Sequence, residues 1–246
     1  MTARFAAIAD VHGNRWALEA VLEDIARRGV RSIVNLGDNL FGPLDVDGTA
    51  ELLMRLDMPG VSGNQDRELV EAGSKHSPWL ASLPLRRELP GMVLFHGTPH
   101  ADNVYLLETV HDGAVAPARD AEIRERLGDE TGPLLLCGHT HIPRVVRCGE
   151  SLIVNPGSVG LQAYPDDAPL PHVMETGSPY ARYAVLEQTV RGWQVDQIAI
   201  VYDWESAAET AERNGRPDWA FRLRTGRARE SAAPLLSRGP MALPNA

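Results

Sequence analysis

Apolar and polar positions along this chain alternate in two periods, and the switches between them divide it into elements. Residues 4–9 form an apolar run of strand length, and residues 14–28 place Ala17, Val21, Leu22 and Ile25 on one helical face. Asn14 can cap the start of that helix and Gly29 its end. A second apolar run at 30–36 completes a β-α-β unit, whose parallel strands leave their C-terminal ends on one edge of the sheet. Open α/β folds bind ligands at that edge.

The pattern goes on with a helix near 50–56, a short strand near 60–62, a strand at 92–95, a helix over 118–127 and a strand at 134–137. After His141 it changes to hairpins: 144–147 with 151–154 across Cys148-Gly149-Glu150, and 183–188 with 193–201 across Arg191-Gly192. The second half therefore predicts a second sheet. Residues 203–213 and 217–223 predict terminal helices. Residues 162–180 carry four prolines and little periodicity, which predicts a long surface loop of the kind that is often functional. The expected organisation is one domain over 1–225, with 226–246 as a tail that is mobile or packed on the body.

Composition narrows this picture. A chain of 246 residues, 43% hydrophobic and 23% charged, is large enough to bury one extensive core. Its net charge of −9 repels a nucleic-acid backbone on average, which disfavours long nucleic acid as a partner and favours small phosphorylated substrates. The two cysteines, Cys137 and Cys148, are too few for a disulfide scaffold and are expected as buried, reduced thiols. No apolar run approaches the roughly 20 residues needed to cross a bilayer, and the N-terminus enters a strand pattern without a signal-peptide core. No membrane partner and a cytoplasmic location are expected.

Potential metal ligands collect where the strands end. Asp10-Val11-His12 follows the first strand, Gly37-Asp38 the second, Gly63-Asn64 the third, His96-Gly97 the fourth and Gly138-His139-Thr140-His141 the fifth. A lone Asp-x-His beside a strand would be ordinary loop chemistry; five such loops are not. Carboxylate, amide oxygen and imidazole suit Mn, Fe, Zn, Co or Ni, and the absence of thiolate disfavours a closed structural zinc site. Asp-x-His and His-x-His leaving a strand would put both side chains on one face. Seven ligands exceed what one ion normally takes, but two ions sharing one carboxylate would use them all. His76, His111 and His172 lack such partners and are expected at the surface or at helix ends, whereas His100 follows His96 closely enough to overhang the site.

Asp10-Val11-His12-Gly13-Asn14, Gly37-Asp38-Asn39, Gly63-Asn64-Gln65-Asp66, His96-Gly97-Thr98-Pro99 and Gly138-His139-Thr140-His141, in this order, resemble the calcineurin-like metallophosphoesterase superfamily. The resemblance spans roughly residues 4–200 and is strongest to the small bacterial and archaeal branch, in which a segment like Asn155-Pro156-Gly157-Ser158-Val159-Gly160 also follows the double histidine. It implies an α/β fold: a four-layer α/β/β/α sandwich of two mixed sheets. It further implies two divalent ions, one held by Asp10, His12, Asp38 and His141, the other by Asp38, Asn64, His96 and His139. Asp38, Asn64 and His96 would be central to catalysis, and a hydroxide bridging the ions would attack a small phosphodiester or phosphomonoester in line.

The chain departs from the commonest pattern at Gln65, where many relatives carry a histidine that serves the leaving-group oxygen. Gln65 donates a hydrogen bond but no proton. General acid catalysis contributes roughly 10²–10⁴-fold where it operates, so its absence favours good leaving groups. Asn14, Asn39, Gln65 and His100 are the candidate substrate contacts. A nuclease or dinucleoside-polyphosphate hydrolase is the alternative within enzymes, which a basic groove from Arg67, Lys75, Arg86, Arg87 and Arg144 would favour. A metal-free scaffold is the alternative outside them, and it would require ligands that have been lost, whereas none is lost here.

Overall fold

The computed structural model describes residues 3–228. In chain order, β1 (Arg4–Ile8), α1 (Arg15–Arg27) and β2 (Ser32–Asn35) form the opening unit, followed by α2 (Val46–Leu56), α3 (Asn64–Glu71) and α4 (Ser77–Leu80). Next come β3 (Arg86–Leu89), β4 (Met92–Phe95), the hairpin β5 (Glu108–His111) and β6 (Ala114–Pro117), α5 (Asp120–Leu127) and β7 (Leu134–Leu136). The remainder is β8 (Arg144–Cys148), β9 (Ser151–Asn155), β10 (Ala163–Asp166), β11 (His172–Glu175), β12 (Ala181–Thr189), β13 (Gly192–Ile200), α6 (Trp204–Arg213) and α7 (Pro217–Thr225).

Two mixed sheets carry the fold, one of order β13-β12-β1-β2 and one of order β3-β4-β7-β9-β8. Side-chain alternation along β1 assigns the layers. Ala6 and Ile8 pack with α1 (Leu18, Val21, Ile25), α2 (Ala50, Leu53), α6 (Ala207, Ala211) and α7 (Trp219, Leu223). Phe5, Ala7 and Ala9 face the other way, onto Leu94, Leu134, Leu136 and Val154 of the second sheet. The outer face of that sheet, Val93, Phe95, Leu135 and Ile153, is covered by Ile123 and Leu127 of α5. The result is the expected α/β/β/α sandwich. Cys137 and Cys148 are buried and unpaired. No helix among the described residues is long and apolar enough to cross a membrane.

Several expectations are corrected. The two expected hairpins of the second half do not build a second sheet by themselves: β9 pairs in parallel with β7, and β12 pairs antiparallel with β1, so each of them extends a sheet begun by earlier strands. Hairpin periodicity reports local pairing and is silent on which sheet a hairpin joins. Residues 60–62 contribute one bridge, Asn35 to Gly60, rather than a strand. Helix α2 starts at Val46, capped by Asp45, whose side chain accepts from Gly48 N. The expected loop over 162–180 contains the β10–β11 hairpin. Prolines hid it; Pro165 is tolerated because a two-stranded ribbon has two open edges. Of the expected tail, residues 226–228 are described, with Arg227 Nη1 3.3 Å from Glu175 Oε1, and the rest lies outside the described residues.

Candidate metal centre

The loops leaving β1, β2, β4 and β7 and the start of α3 converge at one end of the two sheets. The β1 and β2 loops run side by side, with Asp10 N donating to Gly37 O (2.9 Å), His12 N to Asp38 O (3.0 Å) and Gly13 N to Asn39 O (3.0 Å). The segment after β9 straps across the first loop: Ser158 Oγ donates to Asp10 O (2.8 Å), and Gly160 N donates to the same carbonyl (3.0 Å). A Cβ at Gly160 would overlap the Val11 carbonyl, so only glycine fits beneath the strap.

Asp10, His12, Asp38, His139 and His141 all have positive φ, between 52° and 70°. This corrects the expectation of strand alternation. Left-handed backbone is costly for residues with a Cβ and persists where surrounding contacts impose it. Alternating left-handed residues turn the loop so that Asp10 and His12, and likewise His139 and His141, aim inward.

Six of the seven expected ligands are buried, and Asn64 is half-buried. Their donor atoms fall into two groups, Asp10 with His12 and His141, and Asp38 with His96 and His139, each with its atoms within 4.8 Å of one another. His12 Nδ1 lies 3.1 Å from Phe41 O and His96 Nδ1 lies 2.7 Å from Leu36 O. A carbonyl only accepts, so each Nδ1 carries a proton, which turns each Nε2 toward the site as the atom that would bind a metal once free of its own proton. A backbone carbonyl behind a histidine is a common means of orienting a metal ligand. The site atoms crowd together: His12 Nε2 is 3.1 Å from His141 Nε2, which is 3.4 Å from Asp10 Oδ1. Asp10 Oδ2, Asn64 Oδ1, His96 Nε2 and His139 Nε2 are buried with no hydrogen-bond partner. Buried acceptors left unpaired are costly, and a cation at their focus would satisfy them together.

The electrostatics are mutual. Burial would raise the Asp10 carboxyl, but His141 and His96 outweigh it and hold it below the ordinary range. Asp38 is likewise depressed, against its burial, by His96 and His12. Burial would lower His96, yet Asp38 and Asp10 push it up to about 10. His12 and His139 are brought down to about 4, by burial first and by a neighbouring imidazole second.

Asp66 has a clear structural part. It accepts from Asp38 N (2.9 Å), Asn39 N (2.8 Å), Asn39 Nδ2 (2.8 Å) and Gly63 N (3.0 Å), clamping the β2 loop to α3. Burial and the Asp38 charge push its carboxyl up to about 7, against these donors. From α3, Gln65 N donates to Asp38 Oδ1 (2.9 Å), and Gln65 Oε1 is buried without a partner.

The candidate substrate contacts divide. Asn14 is spent on the fold, its amide donating to Gly160 O (2.8 Å) and its oxygen capping α1. Asn39 is also fully buried, donating to Asp66 and accepting from Asn35 (2.6 Å). Neither has a free polar atom for a substrate. His100 does not overhang the centre through its Nε2, which lies 3.2 Å from Leu127 O at the end of α5. His172, expected at the surface, is buried beside Tyr105. Of the basic residues whose groove would favour the nuclease alternative, four are paired with acids, Arg67 with Asp102 (2.8 Å), Lys75 with Asp47 (2.5 Å), Arg86 with Glu130 (2.5 Å) and Arg144 with Glu108 (2.8 Å), while Arg87 donates to Gly60 O (2.9 Å).

Sequence reasoning missed the aromatic wall. Tyr105 and Tyr164 lie against His139 and His141, and Trp219 of α7 meets the His12 ring edge-on at 6.0 Å. From His172 to Glu175 burial alternates along the strand, but the residue types do not, since Val173 and Met174 are adjacent and both apolar, so the sequence carries little signal for this hairpin.

The profile of the calcineurin-like phosphoesterase superfamily domain matches residues 4–175. An uncharacterized protein of Methanocaldococcus jannaschii is 26% identical, with 87% of this chain and 94% of that protein covered. Among solved structures, a metallophosphoesterase from Sphaerobacter thermophilus superposes with a TM-score of 0.73 at 25% identity, covering 92% of this chain and all of that one (100%). A hypothetical protein from Pyrococcus horikoshii gives 0.67 at 16% identity, over 92% and 99% of the two chains, a likeness of fold.

Proposed function

Since the chain belongs to the calcineurin-like phosphoesterase superfamily, we propose that it is a dinuclear metal-dependent phosphoesterase that hydrolyses a small phosphodiester in preference to a monoester. The observation that carries this reading is the convergence of buried imidazole and carboxylate atoms in two groups of three, with Asp10 Oδ2, His96 Nε2 and His139 Nε2 left without a hydrogen-bond partner. Asp10, His12 and His141 would hold one ion, and His96, His139 and Asn64 the other, with Asp38 shared. When bound, the pair would supply Lewis acidity and a water of lowered pKa for in-line attack on phosphorus.

The chain's own residues set the preference. Gln65, whose backbone N–H fixes Asp38, can donate a hydrogen bond to phosphate oxygen but cannot protonate a leaving group. Arg67 and Arg144 are held by Asp102 and Glu108, which ties up two guanidinium groups that could otherwise neutralise the second negative charge of a monoester. A diester with a good leaving group needs neither. The same paired cations and the net charge of −9 weigh against long nucleic acid as substrate.

The test is hydrolysis of bis(p-nitrophenyl) phosphate and p-nitrophenyl phosphate by metal-stripped protein with Mn, Fe, Co, Ni or Zn restored singly. Turnover is expected to return with metal, to favour the diester, and to fall by about 10³-fold in Asp38→Ala if metal catalysis supplies several kcal/mol. No turnover with any ion, both sites filled, would sink the reading.

A further inference from the structure

The segment His139-Thr140-His141 delivers one ligand to each metal group, so its conformation sets how the two groups are spaced. Both histidines are left-handed, with φ of 70° and 59°. Strained residues hold such a conformation only when something outside the segment imposes it.

Tyr164 of β10 touches both ends. Its hydroxyl donates to His139 O at 2.8 Å, which fixes the tilt of the peptide between His139 and Thr140. Its ring lies 4.5 Å from the His141 ring at 61°. Tyr105 supports it from the loop before β5. The Tyr105 ring stacks on His139 at 4.9 Å, and its hydroxyl lies 3.4 Å from that of Tyr164. That hydroxyl donates to Asp166 at 2.8 Å and lies 3.0 Å from His172 Nε2. Asp166 and His172 face each other across the hairpin register, so Tyr105 ties both strands of the hairpin to the histidine segment.

We propose that Tyr164 is a positioning residue for both metal groups, braced by Tyr105 through Asp166 and His172. This rests on the dinuclear reading above. Removing the Tyr164 hydroxyl frees the 139–140 peptide to rotate, and because His139 and His141 serve different groups, both lose geometry together. A change in any single ligand other than the shared Asp38 would strike one group first.

The experiment titrates metal-stripped protein with Co(II), following heat and the visible ligand-field spectrum. Tyr164→Phe, which keeps the ring and loses the hydroxyl, is expected to bind both equivalents about 10–100-fold more weakly and with an altered spectrum. Tyr180→Phe, on an exposed ring, is expected to match the parent. Two equivalents bound by Tyr164→Phe with parental affinity and spectrum would overturn the proposal, as would a lower melting temperature with an unchanged spectrum. Should Tyr164→Phe not fold, Tyr105→Phe decides: weaker cobalt binding supports the brace and unchanged binding overturns it. A parent that takes up fewer than two equivalents would bring down the dinuclear reading itself, before any variant is made.

Discussion

In the group of Asp10, His12 and His141 every residue has a left-handed backbone, whereas in the group of Asp38, His96 and His139 the fully buried His96 does not. His96 is set instead by its Nδ1–H bond to Leu36 O (2.7 Å), at the end of an ordinary strand. The first group depends on loops that other loops hold in place: the strap from Ser158 to Gly160 over Asp10, and Trp219 against His12. The second depends more on direct bonds to side chains and on α3. One centre is thus assembled by two strategies, and they can be broken separately.

The largest separation is expected from glycine substitutions. Gly160→Ala drives a Cβ into the Val11 carbonyl, between Asp10 and His12, while Gly63→Ala drives one into the Asp38 carboxylate. Each is expected to cost about 3 kcal/mol, a fall of about 6–12 °C in Tm. Cobalt titration should show Gly160→Ala weakening mainly one equivalent, and Gly63→Ala, through the shared Asp38, weakening both with the larger loss at the other. If either weakens both alike, the two groups are held as one unit.

A middle effect is expected from pH on chelated protein, read as Tm. His12 and His139, brought from 6.5 to about 4, stay neutral in the fold, so the stability they carry is present above 6.5 and is lost as pH falls toward 4. One comes from each group, so the acid limb is shared. His96, raised to about 10, contributes fully below 6.5 and is lost as pH rises through about 10. The alkaline limb therefore belongs to the second group and should vanish in His96→Gln while the acid limb stays. Smallest is Trp219→Phe, expected to cost less than about 1.5 kcal/mol in a denaturant melt and to disturb only the first cobalt equivalent.

The ligand loops were legible because they combine residue types that rarely gather at strand ends, and β1, β4 and β7 were legible as apolar runs. What escaped was conformation and long-range placement. Asp-x-His reads as strand alternation in sequence, yet Asp10 and His12 each sit at positive φ, because the neighbouring β2 loop and the 158–160 strap bind their backbone. Asn14 and Asn39 looked like substrate contacts because they sit inside the motifs; their amides serve Gly160 and Asp66. Tyr105 and Tyr164 gave no periodic signal, since one lies in an irregular loop and the other beside Pro165. Residue type reveals donors, but partners far apart in the chain decide where donors point.

That separation has a consequence during synthesis. Asp10 awaits Ser158, 148 residues later, Asn14 awaits Gly160, 146 residues later, and His12 meets His141 across 129. Contacts so distant in sequence form late and slow the search for the native state. A ribosome must therefore release nearly two thirds of this polypeptide before its first ligand loop can lock. Until then the nascent chain carries a row of aspartates and histidines with no built cage, and any metal ion that these groups hold would find its site only after translation has passed the strap.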